Sequence, residues 1–87
     1  MILYFSTRFT KKQAKLPRPL QAKLRERLYL FADQPFAPIL DNHPLHGKYV
    51  GYRSIDIAGN YRAIYEPIGD DAAHFIIRGT HPELYGT

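Results

Sequence analysis

Four prolines decide where this chain can be helical. Pro17 and Pro19 stand on one side of residues 20–31, and Pro35 and Pro38 stand on the other. Proline lacks an amide proton and clashes with the preceding turn, so a helix opens at it but does not run through it. Pro19 therefore suits a first turn, and Pro35 marks an end. Between the brackets Leu20, Leu24, Leu28 and Phe31 recur at spacings of four, four and three. That is one apolar stripe on a helix. Lys23, Arg25 and Arg27 fall mostly off the stripe, so the face turned to water is cationic.

The segment before Pro17 reads as a second, shorter helix. Ile2–Phe5 is β-prone, and Ser6 or Thr7 can cap a helix N-terminus. From Thr7 to Leu16 the apolar residues Phe9 and Leu16 sit seven apart, with Lys11, Lys12 and Lys15 between them. The two helices form a hairpin with a basic outer face. Residues 1–30 hold eight Lys/Arg and one Glu, whereas residues 31–87 hold four and seven, within a net charge of +4. A basic half attracts polyanions, of which nucleic acid is the commonest in a cytoplasm. The plain alternative is a solvated helix face with no partner.

Residues 34–51 carry three prolines and two glycines and read as irregular. A loop of that length in a small domain points to function or docking. It brings His43 and His46 to the edge of a strand region. Tyr52–Ile57, Tyr61–Glu66 and Ala73–Arg78 read as three strands. A two-residue turn at Gly59-Asn60 would place Arg62 opposite Ile57 on the buried face. A three-residue turn sets Arg62 beside Asp56 on the other face, with Tyr61, Ala63 and Tyr65 joining Ile55 and Ile57. Burying an unpaired guanidinium is costly, which selects the second register. Gly59 or Asn60 supplies the left-handed residue that the turn needs.

The expected fold is α+β, in the order β-α-α-β-β-β. A small, mainly antiparallel sheet carries the helix hairpin on one face. The other face stays open and shows Tyr52, Ser54, Asp56, Arg62 and Ile64. One domain spans residues 1–87. With no cysteine there is no disulfide scaffold or thiolate metal site. No third ligand accompanies His43 and His46 at a convincing metal spacing. No apolar run is long enough to span a bilayer and no signal peptide is visible, so a soluble, cytoplasmic chain without cofactor, metal or membrane is expected.

The motifs DNHPLHG, GYRS, NYRAIY and RGTHPELYG, in this order of elements, resemble the RelE/ParE toxin superfamily, and most of all its YafQ-like branch. The resemblance covers most of the chain and is sharpest from residue 41 onward. It implies a RelE-like fold and a type II toxin that cleaves mRNA on the ribosome. The ribose 2′-hydroxyl would attack the adjacent phosphate without a metal. It also implies a cognate antitoxin encoded alongside, and hence a heteromeric complex at rest. By matching position, His43 is similar to the family's loop histidine and His81 to the histidine of its GTH motif. Tyr85 stands at the terminal aromatic, and Arg62 at the arginine that holds the scissile phosphate in the RelE branch. The chain departs from the branch at Ser54, Asp56 and Asn60, where an Asp, a His and an Asp are usual.

Such a transesterification needs a base on the 2′-oxygen, an acid on the leaving 5′-oxygen, and positive charge at the phosphate. Histidine serves either proton role because its ordinary pKa, about 6.5, leaves both forms available near neutrality. Each such transfer is worth about 10²–10⁴ in rate. His43 and His81 are thus expected to share acid and base duty, in an order the sequence leaves open. Arg62 pairs bidentately with the phosphate, Tyr85 stacks on a base or assists, and Asp56 orients Arg62 or a histidine. Lys11, Lys12, Lys15, Arg18, Lys23, Arg25, Arg27 and Lys48 are the expected RNA contacts. His46 and His74 read as surface residues. Two other readings stand beside this one. A ParE-like toxin blocks a topoisomerase by binding alone, and a weakened toxin would retain only its antitoxin.

Overall fold

The computed structural model describes residues 1–80. Its elements are β1 (Ile2–Phe5), α1 (Thr7–Ala14), α2 (Arg18–Asp33), β2 (His43–Pro44), β3 (Arg53–Ala58), β4 (Tyr61–Ile68) and β5 (Ala72–Thr80). Single 3₁₀ turns at Pro38–Leu40 and Gly47–Tyr49 flank β2. The sheet has five strands in the order β1-β5-β4-β3-β2. Only the β1–β5 pairing is parallel among these neighbours. The architecture is the expected α+β fold, with one strand more than the sequence pattern revealed.

Each helix boundary has a local cause. Ser6 caps α1: its Oγ accepts from the Phe9 amide at 3.0 Å and donates to the Ile76 carbonyl at 2.8 Å. One side chain thus starts a helix and ties it to β5. The apolar spacing runs to Leu16, but the helix ends at Ala14, because the residue before a proline avoids helical angles. Lys15 and Leu16 instead close tight turns onto Lys12 and Gln13. The Gln21 side chain donates to the Leu16 carbonyl at 2.7 Å and secures the corner. Pro19 lies in the first turn of α2, and Gln34, ahead of Pro35, leaves the helical region (φ −137°, ψ 80°) and ends the helix.

The main core lies between the helix hairpin and one face of the sheet. Phe9, Leu16, Leu24, Leu28 and Phe31 from the helix hairpin meet Ile55, Ile57, Ala63, Tyr65 and Phe75 from the strands. Leu20, the first residue of the stripe, is only partly buried. Phe31 is fully buried and meets Tyr65 and Phe75 edge-on, at ring-centroid distances of 4.9 and 5.3 Å.

The β3–β4 hairpin keeps the register that the charge argument selected. Asp56 pairs with Arg62 and Ile55 with Ala63. The extra residue sits in the strand, however, as a bulge between Asp56 and Ala58, and the turn itself is only Gly59-Asn60. Gly59 takes the left-handed angle, φ +54°. A bulge and a longer turn are equivalent ways of shifting a register by one.

The face away from the helices is less open than its alternation implied. Ile64 is fully buried and Ile77 nearly so, beneath Leu45. Tyr49 and Tyr52 pack against this second cluster. Residues 45–52 fold back over the sheet, hydrogen-bonded from the Leu45 amide to the Tyr52 carbonyl at 3.0 Å. The long loop is therefore a lid on a small second core, and that lid leaves a limited polar area uncovered at the hairpin end.

Candidate active site

The uncovered area is built from β2, β3 and β4. His43 pairs with Ser54, and Asp56 with Arg62, so the four side chains share the helix-free face. Arg62 Nε lies 2.8 Å from Asp56 Oδ1, and Arg62 Nη1 donates to the carbonyls of Gly59 and Tyr61 at 3.1 and 3.3 Å. The guanidinium is thereby folded back on its own hairpin. Opposite Arg62 on β5 is Gly79, which adds no side chain beside it.

The electrostatics of the cluster converge on Asp56. Burial pushes its carboxyl above the ordinary range; Arg62 opposes this, Asp41 adds to it, and His43 opposes it. Asp56 therefore senses every charged group of the cluster. Ser54 is fully buried, and its hydroxyl finds no partner among the described residues, so it cannot reach a substrate. The departure at Ser54 thus removes a polar group from the site, whereas the departure at Asp56 keeps one.

His43 is held by residues that sequence reasoning did not single out. Asp41 ends the 3₁₀ turn in the left-handed conformation, φ 44° and ψ 48°. Its carbonyl lies 2.7 Å from His43 Nδ1, and its Oδ2 lies 3.8 Å away. Asn42 is clamped between strands and loop. It accepts from Arg53 Nε at 2.8 Å, and its amide donates to the Tyr65 hydroxyl and the Pro35 carbonyl, both at 2.8 Å. Arg53 in turn lies over the exposed Phe36 ring, 5.3 Å from its centroid. The available signal was the Asp-Asn pair before His43, since these two types tolerate left-handed angles.

The cationic candidates are divided from this cluster by the sheet. Lys11, Lys12, Lys15, Arg18, Lys23, Arg25 and Arg27 belong to the helix hairpin or its corner, on the opposite face. Lys11, Lys15, Arg18 and Arg25 are exposed, whereas Lys23 and Arg27 are drawn to Glu26 at 3.7 and 3.2 Å. Lys48 is on the lid, its Nζ 5.2 Å from the centre of the Tyr49 ring. His46 is exposed beside it, and His74 is half-buried on β5. His81 and Tyr85 lie outside the described residues. Arg78 was also missed: it is buried on the helix side, donates to the Lys12 carbonyl at the end of α1, and faces Tyr61. A guanidinium at a helix C-terminus meets carbonyls that the helix leaves unused.

Among the described residues no group of three or more His, Cys, Asp or Glu side chains could hold a metal ion. No helix among them is long and apolar enough to cross a membrane.

No family model and no curated protein matches the sequence. Solved structures do match. YafQ from E. coli strain BL21(DE3) aligns with a TM-score of 0.77 and 26% identity, over 97% of each chain. A chain of the E. coli DinJ–YafQ toxin–antitoxin complex aligns with a TM-score of 0.74 and 27% identity, over 97% of this chain and 96% of that one. A YoeB/ParE toxin from Agrobacterium tumefaciens shares the fold, with a TM-score of 0.75 and 20% identity over 93% of this chain and 99% of that one.

Proposed function

We propose, starting from a chain with the RelE/YafQ-like toxin fold, that this protein is the toxin of a type II toxin–antitoxin pair and a metal-independent endoribonuclease acting on mRNA at the ribosome. The observation that carries this reading is the meeting of His43, Asp56 and Arg62 on the helix-free face, beside the hairpin turn. An imidazole and a guanidinium on one face of the sheet, with Asp56 on the strand between them, are the proton carrier and the phosphate ligand that attack by a 2′-hydroxyl requires. Arg62 stabilises the charge that builds on the phosphate, and His43 moves a proton at the 2′- or 5′-oxygen. His81 is the second proton carrier by its motif, and Tyr85 the stacking aromatic.

The helix lysines and arginines face away from this cluster and serve another purpose. They are suited to ribosomal RNA, gripped through phosphates, with a binding constant that falls steeply as salt rises. The antitoxin has a separate surface. A groove of about 320 Å³, lined by Leu3, Phe5, Leu28, Tyr29 and Arg25, runs beside β1, an edge strand among the described residues. Tyr29 is 73% exposed there. An antitoxin segment with apolar side chains and acidic neighbours fits this groove and its basic surroundings.

A second reading draws on Asp56. Because Arg62 is already paired with a carboxylate, the chain could be a weakened nuclease whose main remaining activity is binding its antitoxin. One experiment separates the two: induction of the protein, with growth followed and mRNA 5′ ends mapped, alongside His43→Ala, His81→Ala and Arg62→Ala. The nuclease reading expects growth arrest with new 5′ ends inside reading frames, abolished by each substitution. Arrest without cleavage refutes it, and cleavage that survives all three substitutions refutes the assigned site.

A further inference from the structure

We propose that Asp41 is a positioning residue: its left-handed backbone turns its own carbonyl onto His43 Nδ1, holds the imidazole in the Nδ1–H form, and leaves Nε2 as the base for the 2′-hydroxyl. The last part rests on the nuclease reading above, whereas the tautomer does not.

The argument begins with the 2.7 Å contact between the Asp41 carbonyl oxygen and His43 Nδ1. A carbonyl has no proton to give, so Nδ1 must donate. In a neutral ring the other nitrogen then carries the lone pair. The geometry leaves little alternative, since both ends of the contact are fixed. His43 is paired with Ser54 in the sheet, and Asn42 is bound to Arg53, Tyr65 and the Pro35 carbonyl. Between Asn42 and the 3₁₀ turn, Asp41 makes a left-handed step whose amide donates to the Pro38 carbonyl at 3.1 Å. Only a residue tolerant of positive φ brings the carbonyl round to a side chain two positions on.

The arrangement assigns a direction to the chemistry. Nε2 of His43 takes the proton of the 2′-hydroxyl while the 2′-oxygen bonds to phosphorus. The bond from phosphorus to the 5′-oxygen breaks, and a separate acid gives that oxygen its proton. The products are a 2′,3′-cyclic phosphate and a free 5′-hydroxyl, and both protein groups reset by exchange with water. Charging the ring strengthens the existing bond, because Nδ1–H still points at the Asp41 carbonyl with the Asp41 carboxylate 3.8 Å away. Asp41 lies beside His43, and Asp56, which is paired with Arg62, interacts electrostatically with it.

The test reads the tautomer directly, by long-range ¹H–¹⁵N NMR of the full chain at pH 8. His43 is expected as Nδ1–H in the wild type and in Asp41→Gly, which keeps both the positive φ and the carbonyl. Asp41→Val, whose β-branched side chain rejects that φ, is expected to lose the preference. It should also lower kcat by about 10- to 100-fold at unchanged KM. Asp41→Gly should recover most of that loss. An Nε2–H ring in the wild type, or Asp41→Val losing kcat with its tautomer intact, overturns the proposal. A wild type that shows Nδ1–H but cleaves no RNA refutes the nuclease reading and leaves the positioning of the ring standing.

Discussion

Replacing Asp56 by Asn should make Arg62 available to RNA. The ion pair is 2.8 Å long, with Arg62 22% and Asp56 31% exposed. Pairs in full contact with water are worth about 0.2–1 kcal/mol, and this one, mostly withdrawn from water, belongs near the upper end at about 1 kcal/mol. That energy is what a phosphate must overcome to take the guanidinium from its carboxylate. Releasing it corresponds to about fivefold in affinity. Asp56→Asn also removes a negative charge from beside the proposed phosphate ligand, so the slope of log affinity against log salt should steepen by about one ionic contact. Fluorescence anisotropy of a short labelled RNA, from 50 to 300 mM salt, measures both. The same variant carries a pH signature in stability. Burial raises the Asp56 carboxyl in the folded state. Its neutral form is thus favoured by folding, and that contribution is present at low pH and lost as pH rises through the raised value. Asparagine is free of this loss, so Tm of Asp56→Asn minus Tm of the wild type should grow as pH rises from 3 to 7. Unchanged affinity and salt slope, or a Tm difference that shrinks with pH, would refute the reasoning.

Other substitutions test the scaffold. Phe31→Ala removes a fully buried ring that meets Tyr65 and Phe75, and should cost about 3–5 kcal/mol in urea unfolding. Ser6→Ala deletes both the α1 cap and the bond to Ile76, with an expected loss of about 1–2 kcal/mol by the same measurement. Gly59→Ala meets no atom within 4 Å, so any cost is the strain of its φ of +54°, about 1–2 kcal/mol. Thermal unfolding followed by circular dichroism should show it. A neutral outcome there would mean that the turn relaxes to another type.

The sequence pattern disclosed what is local and what a large energy enforces. The stripe from Leu20 to Phe31 and its proline brackets are local, and α2 appears where they predict. The Asp56–Arg62 register was legible because the alternative buried a bare guanidinium. What escaped was set by contacts distant in the chain. Two residues at His43–Pro44 make no strand pattern of their own, and they are a strand only because β3 lies alongside. Ile64 alternates as an outward residue, and only the return of Leu45 buries it. Arg78 looks like a surface charge until the end of α1 arrives to accept a hydrogen bond from it. At the candidate site, His43 and Arg62 are readable by their match to the family motifs, and Asp56 by the strand register alone. The orientation of the ring was not, because it depends on one backbone angle at Asp41.

The pairing of β1 with β5 has a consequence for the order in which this chain becomes whole. Ser6 reaches Ile76 across seventy residues, and among the described residues β5 is the strand that pairs with β1. During synthesis the first strand and both helices emerge long before their partner, and Phe9 and Phe31 wait for Phe75 to close the core over them. Contacts this distant form late and slowly. A nascent chain therefore displays its sticky helical half before the sheet exists, and the closing step coincides with the arrival of β5. Any protein that binds the early half acts before β5 has emerged and paired with β1.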